Sequence, residues 1–199
     1  MRTTDPTPLP ADAGWLAAAR ERLGRLPRTA LGHDIEALRD ALSDLPWLPG
    51  CPDAARLARH DRGQRYRRHL IGGSAVHGWT ALLIAWPPGH RTPLHDHDGL
   101  WGIELVLEGA LAIEEFRKND HDGEASLEHE RTLILGIGDA TAFTHEDYVH
   151  ACRNLSAQRP ALSLHVYGGV LDGYSTFHTG TLGRATPTRR RAGIDAVMI

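Results

Sequence analysis

"PPGHRTPLHDHDGLWGIELVLEG" (87–109) sets a Pro/Gly turn, then two histidines one residue apart, ahead of an apolar run that closes on a glycine. Bounded by turn residues, the run predicts a buried strand over 101–109. Residues i and i+2 of a strand share a face. His95 and His97 therefore project side by side, and Asp96 turns away. Two imidazoles on one face make half a site for a borderline metal, although the same pair also suits an exposed strand end. Glu104 has the parity of Gly102 and should face inward. A buried lone carboxylate is costly, so it needs a partner.

Outward from this stretch, turn residues punctuate further apolar segments. Strands are expected over 64–71, 79–86, 110–116, 126–135 and 161–169, with Gly72-Gly73, Pro87-Pro88-Gly89, Gly109, Gly136, Gly138 and Gly168-Gly169 between or beside them. Many short strands with turns between them predict an all-β barrel or sandwich. Upstream, "ADAGWLAAARERLGRL" (11–26) puts Trp15, Leu16, Ala19, Leu23 and Leu26 on one helical face, and 34–45 does the same with Ile35, Leu38, Leu42 and Leu45. Residues 1–10 look loose. The Arg189–Arg191 run reads as a solvated basic end.

Composition narrows the function. A 199-residue chain that is 41% hydrophobic suits one domain with one core. A net charge of −3 gives no case for a nucleic-acid or membrane partner. No stretch reads as a membrane span or a secretory signal, so a cytoplasmic enzyme is the expectation. Two cysteines, Cys51 and Cys152, make no disulfide framework, while thirteen histidines invite a search for a metal.

That search ends about fifty residues downstream, at "GDATAFTHEDYVHACRN" (138–154). Here Gly138-Asp139 make a turn, and Asn154 follows His150 by four residues. A strand carrying His150 would meet His95 and His97 across a barrel. G-x5-HxH…G followed by GD…H-x3-N resembles the two motifs of the cupin superfamily. The resemblance implies a double-stranded β-helix barrel with a metal in its mouth. Its expected layout is a helical segment over 1–50 packed on the barrel, the barrel over 51–185 and a C-terminal tail over 186–199. Most metal cupins add a carboxylate shortly after HxH, and here that place falls to Gly102.

A three-histidine cupin without the carboxylate resembles the thiol dioxygenases of the cysteine dioxygenase family. The likeness spans roughly 64–177. It implies Fe(II) on His95, His97 and His150, with nickel or manganese also suited to three imidazoles, and O2 as co-substrate. "SLHVY" supplies Ser163, His165 and Tyr167 on one strand face, similar to that family's Ser-His-Tyr relay. "YRRHL" supplies Tyr66 and Arg68, similar to its tyrosine and its carboxylate-binding arginine. A guanidinium fork matches a carboxylate and stays charged; Arg67 points the other way, to solvent. Gly102 stands where animal members carry the cysteine that crosslinks to tyrosine, so no crosslink to Tyr167 is expected. "LDGYSTFH" (171–178) lacks the arginine of relatives that prefer a thiol acid without an amine, which favours L-cysteine as substrate and the sulfinate as product.

Three roles for Glu104 stay open: binding a substrate amine, moving a proton in the chemistry, or pairing with an interior arginine such as Arg68. Trp86 and Trp101 read as packing groups and Cys152 as a small buried residue. The alternatives are a dioxygenase of 3-mercaptopropionate or mercaptosuccinate, a relative that takes cysteine past the sulfinate by decarboxylation or rearrangement, and a non-redox metal cupin acting as isomerase or binding module. The expected assembly is a monomer or a small homo-oligomer.

Overall fold

Alternating side chains decide which surface of each strand meets which partner. The computed structural model describes residues 13–25, 32–54, 57, 66–74, 78–121, 124–144, 146–180 and 184–198. The expectations for 1–10, Leu26 and 64–65 fall outside the described residues. Two helices lead, α1 (Ala13–Gly24) and α2 (Gly32–Leu42), followed by a 3-10 turn at Leu45–Trp47. The strands follow: β1 (Arg67–Ser74), β2 (Trp79–Trp86), β3 (Leu94–His95), β4 (Gly102–Glu108), β5 (Leu111–His121) and β6 (Glu124–Leu135). Next come β7 (Ala140–Phe143), β8 (Tyr148–Asn154), β9 (Ala161–Tyr167), β10 (Gly173–Thr179), β11 (Ala185–Arg191) and β12 (Ala196–Val197).

They form two six-stranded sheets, ordered β12-β1-β2-β9-β4-β7 and β11-β10-β3-β8-β5-β6. Every pairing is antiparallel except β1 with β12. Side chains of even parity on β2 and β4, Leu82, Ile84, Trp86 and Val106, meet Leu111, Ile113 and Cys152 of the second sheet between the two layers. The odd-parity neighbours Leu83, Ile103 and Leu105 point to the other side of the first sheet, with Leu164 of β9. There they bury against Trp15, Leu16, Leu23, Ile35 and Leu42 of the helices. Both faces of the first sheet are thus covered, which is why β2 and β9 are buried along their whole length and β2 reads as a nearly continuous apolar run. Each such side chain contributes about 1.5–3 kcal/mol when fully buried. Leu45 joins the same cluster from the 3-10 turn rather than from a helix. No described helix is long and apolar enough to cross a membrane.

The C-terminal segment departs from expectation. Within the expected tail, β11 pairs along its length with β10, its arginines largely exposed as expected, and β12 adds to the edge of the first sheet beside β1. Arg67 and Arg189 are held as well, at 3.3 Å from Asp195 and as a fork on Asp98 at 2.7 and 2.6 Å. These strands carry little apolar alternation because β11 is mostly exposed, and backbone pairing together with surface charge places them. Asp195 also reaches across, accepting from the Arg68 amide at 2.8 Å. Arg20 of α1 donates to the carbonyls of Ile71 at 2.7 Å and Met198 at 3.0 Å.

Candidate metal centre

β3 and β8 are adjacent, and their register sets His95 opposite His150. The Nε2 atoms of these two rings lie 3.2 Å apart. His97, beyond the end of β3, joins them, so that one nitrogen from each of the three rings lies within 4.8 Å of the others. The loop that carries His95 and His97 is tied down from the far side. Asp96 accepts from the Ser175 amide at 2.7 Å and donates its own amide to the Ser175 carbonyl at 3.1 Å. Asp96 therefore does turn away from the cluster.

His95 Nδ1 lies 3.0 Å from the Pro93 carbonyl, which can only accept, so Nδ1 carries the proton and Nε2 a lone pair. His150 Nδ1 faces the Tyr148 hydroxyl at 3.2 Å and a Glu104 oxygen at 3.5 Å, an environment that favours a proton on Nδ1. Burial pulls all three rings below the ordinary histidine value, with His97 and His150 well below it and further lowered by their histidine neighbours. Two neutral rings then aim lone pairs at each other across 3.2 Å. His97 is 4% exposed, and neither ring nitrogen has a hydrogen-bond partner among the described residues. Facing lone pairs and an orphaned buried imidazole suit a cation among the three rings. The His150 ring has the backing usual for a metal ligand: Tyr148 donates to buried Glu115 at 3.1 Å, and Glu115 pairs with Arg131. Sequence reading missed this support, because Glu115 and Tyr148 lie 33 residues apart and only their inward parity hints at it.

Packing closes position 102 to a larger side chain. A Cβ built on Gly102 would lie 2.2 Å from Cζ of Phe143. That ring is stacked between His97, at 4.8 Å between centroids, and Tyr148, at 4.2 Å. Phe143 fills the space a side chain at 102 would use. Gly102→Glu should therefore destabilise the fold by about 1–3 kcal/mol as an overpacking change, read as a fall in thermal midpoint. A double-mutant cycle with Phe143→Ala should show a smaller penalty for Gly102→Glu in the alanine background. An equal penalty in both would clear Phe143. Gly102 does lie opposite Tyr167 in the sheet, but without a thiol.

The relay residues form a continuous chain. Trp86 Nε1 donates to Ser163 Oγ at 2.8 Å, Ser163 lies 2.8 Å from His165 Nε2, and His165 Nδ1 lies 3.2 Å from the Tyr167 hydroxyl. Indole N–H only donates, so the serine proton is directed to His165 Nε2, and the histidine proton sits on Nδ1 facing Tyr167. Trp86, expected as packing, also anchors this chain. Burial, then the nearby Glu104, pushes Tyr167 well above its ordinary value, so it stays a neutral hydroxyl.

A cavity of about 190 Å³ opens beside the cluster, lined by His95, His97, Tyr167, Tyr66 and Arg68, with His90, Thr92, Pro93, Leu171 and Tyr174 completing the wall. Arg68 Nε is buried without a hydrogen-bond partner among the described residues. Tyr66 packs edge-on to Trp86 at 5.1 Å and stacks on His90 at 4.9 Å. His90 and Tyr174 were not anticipated; nothing in the sequence around "GHRT" or "GYST" marks them as inward.

Glu104 is 1% exposed and does not line this cavity. Its described contacts are His165 Nδ1 at 3.3 Å, His150 Nδ1 at 3.5 Å and Cys152 Sγ at 3.6 Å. Pairing with Arg68, one of the three roles left open, does not occur. Register gives the reason. Glu104 lies opposite His165, whereas Arg68 lies opposite Ile84 on β2, which pairs in turn with Ser163. The two are three strands apart in the sheet order and one pleat out of line.

A family model for cysteine dioxygenase type I matches residues 48–179, more than half of the chain. The chain belongs to that family. It is 25% identical over 130 residues to cysteine dioxygenase type 1 of Danio rerio, a match covering 65% of this chain and 63% of the zebrafish protein. Against the Homo sapiens protein the values are 24% over 160 residues, 78% of this chain and 75% of the relative. A solved cupin superfamily protein from Desulfitobacterium hafniense is 13% identical, with a TM-score of 0.43 over 60% of this chain and 89% of that one. Among these cysteine dioxygenase relatives, the chain spans just under two thirds of the zebrafish protein's length.

Proposed function

We propose that this chain is an Fe(II)-dependent thiol dioxygenase that converts a small carboxylated thiol, L-cysteine, to its sulfinate, with both atoms of O2 ending on sulfur. One observation carries the reading. The cavity wall joins two of the three clustered histidines to a buried, unpartnered arginine nitrogen and a neutral tyrosine hydroxyl. At about 190 Å³ it suits a small substrate, since cavities for drug-sized ligands begin near about 300 Å³.

His95, His97 and His150 would hold the metal. When bound, ferrous iron supplies the redox chemistry with O2 and, by its charge, favours the thiolate form of the substrate. The protein supplies position. Arg68 would take the substrate carboxylate as a fork, relieving its unpartnered Nε. Tyr66, half-buried, lines the same cavity and stays protonated, because desolvation pushes it far above its ordinary value; its hydroxyl is a second donor. Tyr167 would donate to the oxygen-bearing end of the substrate, held in orientation by His165 and Ser163. The serine-to-histidine-to-tyrosine chain can pass a proton without moving a heavy atom.

Oxygen uptake by the Fe(II)-loaded protein, with a panel of small thiols and mass analysis of products, tests this. Uptake with L-cysteine and a product heavier by two oxygens is expected. Uptake only with 3-mercaptopropionate or mercaptosuccinate would change the substrate. A product that had lost carbon dioxide would change the reaction. No uptake with any thiol would leave a non-redox cupin.

A further inference from the structure

The buried carboxylate left unused by that mechanism sits behind the metal centre. Glu104 Oε1 is a buried acceptor with no aligned donor among the described residues. It lies 3.5 Å from Nδ1 of His150 and 3.3 Å from Nδ1 of His165. The other oxygen has only a thiol donor, Cys152, at 3.6 Å. A carboxylate so poorly served by hydrogen bonds is costly to bury unless a positive charge compensates it. No described arginine or lysine does so. The charge available is a cation on the opposite edge of the His150 ring, where Nε2 faces His95. Phe143 meanwhile closes position 102 to any carboxylate ligand.

We propose that Glu104 is a positioning residue that supplies, from behind His150, the negative charge a metal centre without a carboxylate ligand lacks, and does so without occupying a coordination position. A negative charge held 3.5 Å from the remote nitrogen of a ligating histidine favours a proton there and raises the basicity of the ring as a ligand, even without an aligned hydrogen bond. The same oxygen reaches His165, so the metal ligand and the hydrogen-bond relay share one anionic group. This rests on the three-histidine metal site proposed above.

The test compares wild type with Glu104→Gln, which keeps the shape and removes the charge. Metal-free protein is titrated anaerobically with Co(II) against a chromophoric chelator, and the iron-loaded forms are poised by redox titration. Glu104→Gln should bind Co(II) about tenfold or more weakly, and its Fe(III)/Fe(II) midpoint should move to more positive potential, with the metal-free melting temperature unchanged or raised. Glu104→Leu, also uncharged, should show the same two changes and stands in if the glutamine variant does not fold. Equal Co(II) affinity and an equal midpoint in a folded variant would overturn the proposal. So would weaker binding that merely tracks a lower metal-free melting temperature with no change of potential. Wild type that binds no Co(II) would instead sink the three-histidine metal site itself.

Discussion

His97→Ala should abolish turnover and weaken metal binding by more than about 100-fold, beyond the 10–100-fold typical of groups that only support a ligand. The ring is buried, and neither nitrogen makes a hydrogen bond among the described residues. Its removal therefore breaks no polar contact of the fold. What it costs is a stacking partner of Phe143 and the volume of one ring, a packing loss that lowers the melting temperature without unfolding the barrel. The two effects separate cleanly: Co(II) titration reads the metal, and thermal denaturation of the metal-free protein reads the packing. Metal affinity within tenfold of wild type in a folded variant would show that His97 is a core residue and no ligand.

Arg68→Ala should act on the substrate and spare the metal. Its backbone is clamped by Asp195, whose side chain accepts from the Arg68 amide and whose own amide donates to the Arg68 carbonyl, each at 2.8 Å. Those bonds survive truncation, so the strand stays in place. Losing one partner of a buried charged hydrogen-bonded pair costs about 2–5 kcal/mol, which corresponds to a rise in KM for a carboxylated thiol of roughly 30-fold to a few thousandfold. A thiol without a carboxylate, such as cysteamine, should lose nothing. Arg68→Lys should recover little, because an ammonium cannot form the planar fork. Parallel loss for both kinds of thiol would remove the clamp assignment while leaving the metal centre standing.

How much of this was written in the sequence depends on the distance over which the information acts. β2 falls on its expected residues, 79–86, because two buried faces leave seven apolar residues and one threonine, Thr80, in a single buried run. The spacing of His95, His97 and His150 pointed to one cluster, and parity put Ser163, His165 and Tyr167 on one face. Parity says which way a side chain points and nothing of register. Glu104 was therefore legible as inward but not as the neighbour of His150 and His165, and Arg68 was wrongly offered as its partner. β11 and β12 went unseen for a different reason. They are edge strands held by backbone bonds and surface charge, so no apolar period marks them.

The stitch between the two ends of the described chain bears on how the protein is made. Arg20 waits for its acceptor on Met198, 178 residues later, and the Met198 amide donates to Leu70 at 2.8 Å. Contacts of such sequence separation form late and slow the search for the native state. During synthesis the apolar faces of α1 and β1 emerge early, yet the edge that β12 covers stays open until nearly all of this sequence has left the ribosome. The nascent chain must therefore keep an unpaired β-edge from capturing another molecule until Ala196 and Val197 have emerged.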